Sequence, residues 1–292
     1  MLKNNTIQFM LFILGCVLLA HPVQAQDERP VGEQPVRVVL NDGSKLVGTI
    51  IERGEEFVVF RTVSGVEMSL LRDQIKDIKV LKGSIVEGHY RRTDPNRTRL
   101  FFSPTARSLG GGSGYFSLYE IFFPYVSVGV GDVISAGGGV SLVPGTKQQL
   151  LYGATKLTLV EKRGVALAAG GFVATITSGE GSGGALFGLG TFGGDEAALT
   201  LGLGFAFGNG DFAESPSILI GGEYQVSNNI KLLSENYILP DIEDGLLFSG
   251  GIRFIGERIS ADFALFSSPS LLEEAEGFPF LPWVGFAYNF GR

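Results

Sequence analysis

From Ala198 to Phe207 the chain alternates two kinds of side chain. Leu199, Leu201, Leu203, Phe205 and Phe207 fall on one face of a strand, and Ala198, Thr200, Gly202, Gly204 and Ala206 on the other. A period of two is the signature of a strand, because successive side chains point to opposite sides. A soluble sandwich shows a polar outer face. Here the bulky face is wholly apolar and the second is small, which fits a strand with lipid on one side and a lumen on the other. The end of the chain repeats it, with Val284, Phe286, Tyr288 and Phe290 against Gly285, Ala287 and Asn289.

Composition agrees. Of 292 residues, 45% are hydrophobic and only 18% charged, with 43 glycines and 23 phenylalanines. Yet no run of 18 consecutive apolar residues follows residue 25, so helical spans are excluded and strands must do any crossing. Twelve segments fit, near 99–107, 114–128, 132–143, 148–160, 164–177, 183–192, 196–208, 216–226, 230–239, 245–256, 259–267 and 282–290. The connections alternate: Glu161-Lys162-Arg163, Gly193-Gly194-Asp195, Ser227-Asn228-Asn229 and Glu257-Arg258 are short, whereas those near 144–147, 178–182, 209–215, 240–244 and 268–281 are longer. Short and long loops mark the periplasmic and outer ends of a bacterial barrel. The expected fold is all-β: a transmembrane antiparallel barrel of about twelve strands over 99–292, with ten the alternative if the early segments are misdivided.

The first 25 residues read as a secretory signal peptide: Lys3, an apolar run over 7–20 broken only by Gln8, and small residues at Val23-Gln24-Ala25. Lipidation at Cys16 is the weaker alternative. Beyond the signal, residues 30–82 are charged and strand-like. Strands near 36–40, 45–51, 57–60, 66–71 and 75–81 are separated by turns at Asn41-Asp42-Gly43-Ser44 and Ser64-Gly65, which reads as a small closed barrel. Val38-x-Leu40-x-Asp42-Gly43, Leu46-x-Gly48-x-Ile50 and Ile75-x-x-Ile78 resemble the Sm-like (SH3-type) barrel. Residues 83–98, with Asp94-Pro95-Asn96 and several basic residues, read as a linker.

One longer resemblance lies in the barrel segment. Thr98-Arg-Leu-Phe-Phe-Ser-Pro-Thr-Ala-Arg, Leu201-Gly-Leu-Gly-Phe and Gly251-Ile-Arg-Phe-Ile-Gly-Glu-Arg are similar to an uncharacterised family of bacterial outer-membrane barrels. The resemblance implies a fold and a compartment, the cell outer membrane; the even strand count puts both termini, and so the N-terminal domain, in the periplasm. It implies as partners the outer-membrane lipid and the barrel assembly machinery, which reads a terminal aromatic. Here Phe290 is followed by Gly291-Arg292.

Chemistry is sparse. Cys16 and His21 leave with the signal, so the mature chain has no thiol and only His89 as a histidine. Thiolate metal sites, thiol nucleophiles and a Ser-His pair within the barrel are excluded, and neither a catalytic residue, a metal site nor a cofactor is expected. Without Lys3 there are 22 basic against 30 acidic side chains, a poor balance for binding nucleic acid. The Sm-like segment therefore points to a periplasmic protein partner rather than to RNA.

A polar set remains on the inward face: Glu223 and Gln225, Lys231 and Glu235, and Arg253 and Asp262. A charge facing lipid costs about 2–4 kcal/mol for Arg near mid-membrane, so these side chains should point into the lumen. The shortest turn that keeps the faces, Glu257-Arg258, pairs Gly256 with Ile259, and counting back from it sets Arg253 opposite Asp262; a four-residue loop is the alternative and would shift the pairs. The expected function is a non-enzymatic pore or small-ligand passage. The alternative is a structural, anchoring barrel whose Sm-like domain docks a periplasmic partner.

Overall fold

The computed structural model describes residues 34–291 apart from 180, 209, 243, 275 and 276. The expected signal peptide, with Cys16, lies outside the described residues. The chain divides into two compact units, one built on the N-terminal strands and one on the barrel.

The first unit is an antiparallel sheet of five strands, β1 (Pro35–Leu40), β2 (Lys45–Arg53), β3 (Phe57–Thr62), β4 (Glu67–Leu71) and β5 (Ile75–Val80). Their order is β4-β3-β2-β1-β5, with a single 3-10 turn at Arg72–Gln74 before the last strand. Alternation sets its core: Val36, Val38, Ile50, Val58, Phe60 and Leu70 are buried together. The segment expected to be a plain linker holds a hairpin, β6 (Gly83–Val86) with β7 (His89–Arg92). Its turn uses Glu87 and Gly88 at positive φ.

The second unit is a closed antiparallel barrel. In chain order its strands are β8 (Gly114–Tyr119), β9 (Phe123–Val130), β10 (Ile134–Val140), β11 (Leu150–Lys162), β12 (Val165–Ile176), β13 (Ser182–Gly193), β14 (Ala197–Gly208), the two-residue β15 (Asp211–Phe212) that extends β14, β16 (Ser217–Ser227), β17 (Ile230–Ile238), β18 (Leu246–Ile255), β19 (Ile259–Ser267) and β20 (Leu281–Phe290). Each pairs with its chain neighbour around the wall, β14 joins β13 to β16, and β20 returns to β8. Leaving aside β15, twelve strands close the ring. The outer wall is apolar: Leu199, Leu201, Leu203, Phe254, Phe263 and Phe286 all expose at least a third of their surface. This is the wall that lipid requires, and closure leaves no strand edge with unpaired backbone.

The count of twelve is right, but two of its segments are not what the sequence suggested. Residues 99–107 are not a strand. The run 114–128 is not one strand but most of the hairpin β8–β9, reversed at Glu120 and Ile121, both at positive φ (47° and 64°). A β-branched residue resists that conformation, so nothing in the residue type advertised the turn. It is held instead by tertiary pairing: the Glu120 amide donates to the Val284 carbonyl (2.9 Å), and the Val284 amide donates to the Glu120 carboxylate (2.7 Å). The two misreadings cancel, so the order of short and long connections after β9 stands as expected. The longest, between β19 and β20, carries the short helix Pro269–Glu274.

A closed ring predicts heat-modifiable migration. Unboiled protein should run on detergent gels as a compact band that shifts on boiling. A single band at all temperatures would mean that the β20–β8 closure does not form.

Candidate functional site

The segment expected to be the first strand lies inside the barrel. Pro104 and the alternation Arg99, Ser103, Thr105, Arg107 deny it a lipid-facing stripe. Within it Leu100, Phe101, Thr105 and Ala106 are completely buried, as is Asn96 just before it, and residues 96–107 together form a plug. It turns back on itself, the Leu100 amide donating to the Ser103 carbonyl at 2.8 Å and Arg99 bridging Pro104. Its partners come from β11, β13, β16, β17, β18, β19 and β20, strands spread around the ring, and only a segment within the lumen can reach them all.

A buried segment without its own ladder must have its backbone groups satisfied by others. The wall side chains do this according to sign. Lys156 on β11 donates from Nζ to the carbonyls of Thr105 (2.7 Å) and Arg107 (2.6 Å). Thr158 donates to the Ala106 carbonyl (3.1 Å), and the Ala106 amide donates to Thr191 Oγ1 (2.9 Å). Arg253 on β18 donates to the carbonyls of Asn96 (3.0 Å), Arg99 (3.1 Å) and Leu100 (2.5 Å). Glu235 on β17 does the converse. Its carboxylate accepts the amides of Phe101 (2.7 Å), Phe102 (3.0 Å) and Ser103 (3.0 Å), and the Tyr237 hydroxyl. Apolar contact completes the seat: Leu100 occupies a notch at Gly221, where a Cβ would lie 2.1 Å from its methyl carbon.

All six polar residues singled out in the sequence are buried on the lumen side. Arg253 stands opposite Asp262 in the β18–β19 register, and its Nε donates to Asp262 Oδ1 at 2.6 Å. Asp262 also takes Nη1 of Arg99 at 2.7 Å. Lys231 lies 3.7 Å from Glu223, which pairs with Arg107. Gln225 is buried beside them on β16. Sequence reasoning missed the other half of the network, Arg97, Arg99, Arg107 and Lys156, because it placed the first three on a strand or in the linker. The warning was Pro104 among charges in a segment with no clean apolar face.

At the short-loop end, Arg97 binds Asp195 (2.8 Å) and Glu161 (2.7 Å). Burial alone would raise the Asp195 carboxyl, but the Arg97 guanidinium outweighs it and holds the group below the usual carboxylate range.

Toward the long loops the lumen is not completely filled. A cavity of about 340 Å³ lies between the long-loop halves of the strands and the plug. Its walls include Tyr119, Tyr125, Tyr152, Phe172 and Phe187, and its floor includes Arg99 and Lys156. Glycines shape it. A Cβ on Gly137 would meet the Tyr125 hydroxyl at 2.6 Å and one on Gly139 the Tyr152 ring at 2.8 Å, so β10 is bare where two rings lie against it. Those rings stack with an interplanar angle of 8°. Among the described residues no group of His, Cys, Asp and Glu could hold a metal ion.

No protein-family model matches the chain, and no curated protein does. Among solved structures it is similar to the KdgM porin in complex with disordered oligogalacturonate, at 8% identity and a TM-score of 0.46, covering 61% of this chain and 98% of that one. It is also similar to a loop L8 deletion mutant of OmpT, an outer membrane protein of Vibrio cholerae, at 12% identity and a TM-score of 0.32, covering 88% and 97%.

Two outcomes are expected. Arg253→Ala removes one of the two guanidinium partners of buried Asp262 and takes a donor from three plug carbonyls, and should cost up to roughly 3–5 kcal/mol, read as a lower denaturant midpoint. Exchanging the two charges, Arg253→Asp with Asp262→Arg, should not recover it, because a carboxylate would then face those carbonyls. Full recovery would mean that only the cross-strand pair matters. The second concerns acid. A depressed carboxyl contributes stability that is complete above its unfolded value, near 3.8, and lost as pH falls through its lower folded value. Wild-type stability should therefore decline below about pH 4, and Asp195→Asn should flatten that decline. Identical acid profiles would mean that the Arg97–Asp195 pair does not contribute.

Proposed function

We propose that this protein is an outer-membrane barrel serving as a small-ligand passage that its own plug, residues 96–107, holds shut. One observation carries the reading: the plug packs part of the lumen, and a cavity of about 340 Å³ remains beside it. A barrel of structural purpose gains nothing from an unfilled interior, since every unfilled space forfeits contact energy. Here glycines at β10 let two tyrosine rings of the cavity wall lie close against that strand, while the plug beneath the cavity is seated largely by hydrogen bonds and ion pairs that can be exchanged for water.

The apolar outer wall and the even strand number support the outer membrane, with both ends of the barrel on the short-loop side. The five-strand order of the N-terminal sheet, with its 3-10 turn before β5, supports the Sm-like reading, and its exposed charges suit a periplasmic protein partner. A second reading, a permanently closed anchoring barrel, is favoured by the depth of the plug, with Leu100 and Phe101 fully buried.

Planar bilayers separate the two. Wild-type protein should be silent or open rarely. Gly221→Leu, which fills the notch for Leu100, should give discrete conductance steps, as should Leu100→Ser with Phe101→Ser, provided both still show the heat-modifiable band. Folded but silent variants would leave the anchoring reading standing.

A further inference from the structure

The plug turns one side chain toward the cavity in an unusual state. Arg99 is 1% exposed and lines the cavity floor. Its Nη1 is fully used, donating to Asp262 and to the carbonyls of Leu100 (3.0 Å) and Phe101 (2.9 Å). Among the described residues its Nε and Nη2 have no hydrogen-bond partner. The Tyr119 ring lies 5.5 Å from the guanidinium carbon, but a ring covers a face and cannot take in-plane N–H groups. Two further buried polar atoms on the cavity wall, Thr98 Oγ1 and Ser135 Oγ, are likewise without a partner among the described residues.

Buried donors left unmade are costly, and a buried charge more so. The nearby carboxylates do not meet the demand. Asp262 is shared between Arg99 and Arg253, and Glu235 is spent on three plug amides and Tyr237. Lys156 adds a second cation to the floor. Above the floor the walls are aromatic and apolar. A site with unused in-plane N–H donors at the bottom and rings along its sides selects a particular kind of molecule.

We infer that the cavity binds an amphipathic monoanion: one carboxylate seated on Nε and Nη2 of Arg99, with a flat, mostly apolar body lying between the tyrosine and phenylalanine rings. Thr98 and Ser135 hydroxyls donate to the head or to a polar substituent beside it. The inference rests on reading the lumen as a small-ligand passage and names the class of that ligand. It also places the ligand on the plug itself, beside the Nη1 contact by which Asp262 ties Arg99 to β19.

The chain carries its own reporter. Trp283 is its sole tryptophan and packs against two cavity residues, with ring centroids 5.8 Å from Tyr119 and 6.4 Å from Phe102. Purified full-length barrel in detergent, titrated with 2-naphthoate at pH 7.5, should show saturable quenching of Trp283, and the neutral isostere 2-naphthylmethanol should bind at least ten-fold more weakly. Arg99→Gln should abolish that preference and leave alcohol binding within about two-fold, with folding checked by the heat-modifiable band. Should Arg99→Gln not fold, Thr98→Ala with Ser135→Ala should weaken naphthoate several-fold and the alcohol less. Equal binding of acid and alcohol by wild type, a preference that survives Arg99→Gln, an equal effect of the hydroxyl variants on both probes, or no binding of either probe each overturns the inference. None of these bears on the conductance of the plug variants, which judges the passage reading separately.

Discussion

The structure depends on a mismatch that the wall must resolve: a stretch of irregular backbone buried in the middle of a closed barrel. In such a place each amide and carbonyl needs a partner, and water is scarce. The wall answers with formal charges. Cations meet carbonyls at Lys156 and Arg253, and an anion meets three consecutive amides at Glu235. Each buried charge is thereby stabilised by plug dipoles, and each plug dipole by a buried charge. Neither the inward charges nor the plug is tolerable alone, which explains why a strand face that could have been glycine and alanine throughout carries Arg, Lys, Asp and Glu.

That arrangement divides the lumen. Toward the short loops, charges, threonines and the plug are packed together, and Gly221 gives way to Leu100. Toward the long loops the inward face changes character to glycine, tyrosine and phenylalanine. Glycines at 137 and 139 let rings lie against the wall instead of across the channel. The cavity is thus a consequence of where glycine and tyrosine alternate on neighbouring strands, while its polar floor is supplied by the plug. Function at this site is joint: the ring walls belong to the barrel and the cationic head site to a segment that is not part of the wall.

Much of the wall was legible in the sequence because the physics is local. Lipid on one side and lumen on the other impose a period of two, and the alternation at 199–207 or 284–290 needs no other information. The Arg253–Asp262 alignment was also legible, since the lipid-facing residues on both strands fix the faces and the shortest turn that fits them sets this pair opposite. The reversal at Glu120–Ile121 was not, because its residues do not favour a turn and the conformation is imposed by pairing with Val284.

By itself, then, the sequence determined the class of wall, the inward set Glu223, Gln225, Lys231, Glu235, Arg253 and Asp262, and the absence of thiol or histidine chemistry in the barrel. Only the tertiary structure decided what those charges face. Periodicity reports which side of a strand a residue occupies, because that follows from backbone geometry over a few residues. It carries no information about what fills the enclosed space, since residues 96–107 and their partners are separated by up to about 190 positions and meet only once the ring has closed. The plug, the cavity above it and the half-satisfied guanidinium of Arg99 are therefore properties of the closed barrel.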